Sequence, residues 1–115
     1  MKLITTALTL VLLAGQADAK GVRMKEERPG LLKKAKITPD AATTTAQAKV
    51  PGGKIVSAEI EEENGKLLFS FDIQTAGKSG IDEVNVDALD GTVLGVQHET
   101  PRDEARERKT DKKRP

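Results

Sequence analysis

Apolar positions fall along this chain in three rhythms. Leu3 to Ala14 (LITTALTLVLLA) is an unbroken uncharged run. Ala42, Ala46 and Val50 recur every fourth residue, the spacing of a narrow stripe on one side of a helix. KIVSAEIEEE and KLLFSFDIQT alternate apolar and polar positions, as half-buried strands do, and Asn64-Gly65 joins them. The last apolar stretch, VNVDALDGTVLGV (Val84 to Val96), mixes small hydrophobic residues with Asn85, Asp87, Asp90 and two glycines.

Each rhythm predicts an element. Thr38-Pro39-Asp40 has a capping hydroxyl, a proline suited to the first helical position and an acid for the positive end of the dipole. The helix is therefore expected over about Pro39 to Lys49, ended by Pro51-Gly52-Gly53. A two-residue Asn-Gly turn fixes the hairpin register, setting Ile60 opposite Phe69, Ala58 opposite Phe71 and Val56 opposite Ile73 on one face. Glu61 with Leu68, Glu59 with Ser70 and Ser57 with Asp72 share the other face. A third strand should set Val84, Val86 and Ala88 beside Ile73, Phe71 and Phe69, leaving Asp87 outward near Ser70. A three-residue loop, Leu89-Asp90-Gly91, phases the return strand so that Leu94 and Val96 point inward. Gly91 supplies the left-handed position that loop requires, as Asn64 and Gly65 do for the first turn. The expected architecture is α+β: one N-terminal helix packed on an antiparallel sheet of three to four strands, flanked by disordered basic arms.

Segment boundaries follow from composition. Met1-Lys2, the uncharged run and Ala17-Asp18-Ala19 read as a secretory signal, residues 1–19, cleaved before Lys20; the run is short for a bilayer, which needs about 20 apolar residues. Residues 20–30 read as an exposed basic arm, 31–99 as the folded domain and 100–115 as a solvated charged tail. The chain is thereby expected to be extracytoplasmic, periplasmic or secreted, with no membrane span left after cleavage. With no cysteine, it has neither disulfide nor thiol chemistry, and Phe69 and Phe71 are its only aromatic residues. One small core is all it can build.

Charge is nearly balanced in total but not in place. Residues 20–54 hold nine Lys/Arg against three Asp/Glu, residues 55–99 two against ten, and residues 100–115 seven against four. An acidic body lies between basic arms, a poor footprint for nucleic acid, which also favours exposed aromatic residues.

Candidate chemistry is sparse. With Gly91 at the sixth position of a calcium loop, only Asp90 would be a proper early ligand, and Gln97 would replace the closing Glu. His98 has neither a second His nor a Cys with which to hold zinc. No nucleophile stands beside it in sequence, so no catalytic residue, metal site or cofactor is assigned and the chain is not expected to be an enzyme. Glu59, Ser70, Asp72 and Asp87 form a polar row on an open face, where carboxylates stay ionised. Such a row suits docking of a protein partner, with a cation-binding or envelope-surface role as the alternative.

The pieces KITPDAATTTAQAKVPGGKIVSAEIEEENGKLLFSFDIQ and EVNVDALDGTVLGV, in that order, resemble the PepSY domain family, with Phe69 at the position where an aromatic residue is common. The resemblance runs from Leu31 to Glu99. It implies an extracytoplasmic module with one helix on an antiparallel sheet, found in propeptides of thermolysin-like metallopeptidases and in stand-alone envelope proteins. The implied role is to restrain or regulate a peptidase by binding it.

Overall fold

The structure, a computed structural model, describes residues 18–19 and 22–102. Helix α1 spans Pro39–Lys49. Thr38 caps it, its hydroxyl accepting a hydrogen bond from the Ala41 N–H at 3.0 Å, and Pro39 begins the first turn. At the far end the Gln47 amide donates to the Gly53 carbonyl at 2.8 Å, tying the helix to the strand that follows. A short 3-10 turn, Leu32–Lys34, precedes the helix.

Six strands form one sheet in sequential order: β1 (Asp18–Ala19), β2 (Val22–Glu26), β3 (Lys54–Glu63), β4 (Lys66–Gln74), β5 (Ile81–Asp87) and β6 (Val93–Glu99). All neighbours are antiparallel except β2 and β3, which run parallel. The class is α+β, with more strands than the sequence suggests and a mixed sheet. Asn64 (φ 52°) and Gly65 (φ 80°) make the tight turn between β3 and β4, and its pairing holds from Glu63 opposite Lys66 to Ser57 opposite Asp72.

The core lies between α1 and one face of the sheet. Ala58 and Ile60 of β3, Phe69, Phe71 and Ile73 of β4, and Val84 and Val86 of β5 are all buried there, against Ala42 and Ala46 of the helix. Alanines on the helix allow close approach, and the bulk comes from the sheet. The two phenylalanine rings lie tilted with centroids 6.3 Å apart.

Four expectations need correction. Residues 22–26 are not an exposed arm but β2: Met24 pairs with Ala58 and is 6% exposed within the core. Two apolar residues, Val22 and Met24, in a five-residue segment are too few to establish a period. Val56 does not face Ile73, because a bulge between Ile55 and Ser57 gives that place to Ile55 and leaves Val56 exposed. The β4–β5 register is displaced by two residues, with Phe69 opposite Val86, Phe71 opposite Val84 and Leu68 opposite Asp87. The connecting loop, residues 75–80, contains left-handed Gly77 and Gly80 and does not fix pairing as a two-residue turn does. Finally, Leu94 and Val96 are exposed: a second irregularity sets Val93 opposite Val86, and Val96, although opposite Val84, stands on the terminal strand. The expected signal peptide lies outside the described residues except for 18–19, as does the expected tail from residue 103 onward.

Candidate functional site

The sheet face turned away from α1 is polar because alternate residues of each strand point there. Register arranges these residues in rows. Lys25, Glu59, Ser70, Asn85 and Gly95 lie in line across β2 to β6, while Ser57, Asp72, Glu83 and Gln97 form a neighbouring row. The Ser70 hydroxyl donates to Glu83 Oε2 and the Ser57 hydroxyl to Asp72 Oδ2, each at 3.0 Å. Of the four residues expected to share a docking row, Glu59, Ser70 and Asp72 are thus brought together.

Asp87 is placed differently. Its β4 partner is Leu68, not Ser70, and it is 7% exposed. Its Oδ1 accepts the Leu89 and Asp90 N–H groups at 2.7 and 3.2 Å, its backbone N–H reaches the Thr92 carbonyl, and Lys66 stands 3.6 Å from Oδ2. Those bonds build the β5–β6 turn, which closes with left-handed Gly91 (φ 80°) donating to the Asp87 carbonyl. The outward aspartate therefore has a structural duty. Next to it, the Asp90 carboxylate accepts from the Thr92 N–H and hydroxyl, which hold it below the usual carboxylate range.

Toward the β3–β4 turn the face becomes acidic. Partial burial pushes the Glu61 carboxyl up to about 7, helped by Glu59, Glu63 and Glu27. Near neutral pH, Glu61 holds a proton for part of the time and Glu59 hydrogen-bonds to it. Glu62, the next residue on the same strand, is instead held below its ordinary range by Arg28, with Lys34 at 3.8 Å. Glu61, Glu83 and Asn85 are members of this face that sequence reasoning did not single out. The alternation around Glu59 signals Glu61, whereas the other two require the β4–β5 register.

A shallow depression of about 400 Å³ opens on this face between Glu63, Asn64, Lys66, Leu68, Asn85 and Leu94. Leu68 is buried at its floor, and Asn85 Oδ1 is shielded from water without a hydrogen-bond partner among the described residues. Beside it runs β6. Among the described residues no strand pairs with the outer side of β6, and Leu94 and Val96 on it are 40% and 50% exposed.

His98 stands with Nδ1 2.8 Å from Asp82 Oδ1, and Ser57 and Ser70 are bonded to carboxylates of their own. No group of three or more His, Asp or Glu side chains among the described residues is arranged to hold a metal ion. Nor is any helix among them long and apolar enough to cross a membrane.

The model of the PepSY family, described as "Peptidase propeptide and YPEB domain", matches residues 36–97, more than half of the chain. No curated protein and no solved structure matches. The chain belongs to the PepSY family, whose place in peptidase propeptides supports a regulatory role.

Proposed function

We propose, with membership of the PepSY family as the premise, that this chain is a non-catalytic extracytoplasmic domain that restrains a peptidase by docking on it. The observation that carries the reading is the outer side of β6. There, over residues 93–98, the outer backbone edge has no strand paired to it among the described residues and lies beside exposed Leu94 and Val96, and strands so placed take up an extended segment by strand addition. The polar rows containing Glu59, Ser70 and Asp72 provide contacts for a basic partner surface, and the depression at Leu68 receives an apolar anchor. Asp87 contributes by holding the turn that positions β6.

Removal of residues 1–19 as a signal peptide accompanies this reading. It would take away β1 and leave a sheet that begins at β2.

The test is inhibition. Purified mature chain is titrated into the peptidase activity of the native envelope and culture fluid, with crosslinking to identify what it touches. Saturable slowing of cleavage that is lost in Leu94→Lys and Val96→Lys variants supports the proposal. Unchanged cleavage with no crosslinked peptidase refutes it.

A further inference from the structure

With residues 1–19 removed, as the proposed function has it, β1 is gone and strand β2 becomes the edge of the sheet opposite β6, where its attachment is slight. It pairs with β3 at only three positions, Met24 to Ala58, Lys25 to Glu59 and Glu26 to Ile60, and in the parallel sense, the weaker of the two ladders. By contrast, β3 pairs with β4 along nearly its whole length. One side chain of β2, Met24, is buried, and Val22 is partly so. Just past the strand the Glu27 N–H donates to the Ile60 carbonyl at 3.0 Å, and the other fastenings are at the surface. Glu26 Oε2 accepts the Leu32 N–H at 2.8 Å, Glu27 Oε1 accepts the Glu62 N–H at 3.0 Å, and Arg28 pairs with Glu62. Exposed pairs of this kind contribute little to stability. The region matched by the family begins at residue 36, so helix and strands β3 to β6 constitute the domain and β2 is added to it.

The strand also shows what its seat accepts. Arg23 and Lys25 flank Met24, and Lys25 shares the sheet face with Glu59. The seat is richer in acid than β2 is in base: beyond Glu59, β3 continues through Glu61, Glu62 and Glu63. Burial first, and the neighbouring Glu59, Glu63 and Glu27 carboxylates after it, keep a proton on Glu61 near neutrality, and four glutamates in five positions of this edge leave room for further positive charge.

We propose that β2 is a displaceable strap and that the edge of β3 beneath it is a second strand-binding site. Its occupant is an extended protein segment, running parallel to β3, with one buried apolar residue between two basic ones. Release of β2 uncovers the β3 backbone and the Met24 seat together, so the intact chain binds such a segment weakly and a loosened strap strengthens binding. The site is separate from β6, and lysines at Leu94 and Val96 leave it unchanged.

The experiment uses the full chain and a fluorescent peptide of residues 22–28 (VRMKEER) followed by anisotropy, with hydrogen exchange as a second readout. Amides of β2 should exchange at least about 100-fold faster than those between β3 and β4, marking a locally opening segment. Met24→Ala removes the one buried anchor, and the peptide should bind this variant about tenfold or more tighter than the unaltered chain. Arg28→Ala cuts only the surface clasp to Glu62 and should give a smaller gain, which keeps the test decisive if Met24→Ala fails to fold. Peptides with Lys in place of Met, or with Glu in place of both flanking basic residues, should bind at least about tenfold more weakly. Equal affinity for the unaltered chain and both strap variants overturns the proposal, as does equal binding of the altered peptides. Exchange of β2 in step with the β3–β4 pair also overturns it, and so does loosening that yields only a dimer exchanging β2 between copies.

Discussion

Glu61→Gln should stabilise the protein at pH 8 and leave it unchanged at pH 4. The Glu61 carboxyl faces Glu59 and Glu63 on its own strand and Glu27 beyond β2, with Lys25 opposite Glu59 and Lys66 opposite Glu63 as the cations next in register and with Leu68 across on β4. Partial burial and these carboxylates raise its pKa from 4.5 to about 7. The folded protein therefore binds this proton more tightly than the unfolded chain does. Below pH 4.5 the group is neutral in both states and has no charge to disfavour folding. As pH rises from 4.5 to 7 the unfolded chain releases the proton first, and stability falls; above 7 the loss is complete and constant.

At about 1.36 kcal/mol per pH unit, the displacement would be worth roughly 3 kcal/mol for a fully shielded group. Glu61 still reaches water, and screening reduces this to about 1 kcal/mol. Glutamine keeps the shape and hydrogen-bonding capacity without the charge. Thermal unfolding followed by circular dichroism at pH 4, 5, 6, 7 and 8 should show melting curves that coincide at pH 4 and separate through pH 7. At pH 8 the variant should melt about 4–8 °C higher, the effect of ~1 kcal/mol on a domain of this size. Taking the difference between variant and parent removes the acid-side losses from Glu62 and Asp90, whose lowered pKa values work in the opposite direction. A variant that melts at the same temperature as its parent at pH 8, or lower, would refute the electrostatic account of this cluster.

Substitutions at three further positions test how the turns are built. Asp87→Ala removes the acceptor of two turn N–H groups and should cost about 1–2 kcal/mol in chemical denaturation, with Asp87→Asn, which retains an acceptor, costing less than half as much. Equal losses from the two would show that the carboxylate charge, not its hydrogen bonds, holds the turn. Gly80→Ala should be the costlier of two glycine replacements: at φ 88° its new methyl group would press on the Glu99 carbonyl, whereas at Gly91, φ 80°, the methyl group meets only Ile37 at ordinary distance. About 1 kcal/mol is expected for Gly91→Ala and roughly 3 for Gly80→Ala, and the reverse order in a melting experiment would refute the packing described at the end of β6.

What was legible in the sequence tracks how locally each feature is determined. The helix start depends on three adjacent residues, Thr38-Pro39-Asp40, and the β3–β4 register on the two-residue turn at Asn64-Gly65; both are in the structure where those residues put them. The register of β5 was not legible, since the residue 75–80 loop allows several pairings and alternation alone cannot distinguish shifts of two. Nor was the role of Asp87. An aspartate on the polar phase of a strand reads as a surface group until its distance from Leu89 and Asp90 is known. Strand β2 is the extreme case: its partner lies 34 positions along the chain, and Met24 is the one residue of Val22–Glu26 that is buried.

The same property that hid β2 from a reading of the sequence determines how it can behave. A segment with strong local preference, or many buried side chains, would have announced itself as a strand and would also be hard to remove. Residues 22–26 have neither, so their attachment depends on a core that is complete without most of them and on an acidic edge that supplies the charge. At the other side of the sheet, β6 is held along nearly all of β5, yet leaves Leu94 and Val96 uncovered. The two edges therefore differ in kind. One is paired along its strand and leaves apolar side chains exposed, where we propose docking, and the other is closed by a short strand paired at three positions, where we propose that a segment of the same chemistry competes.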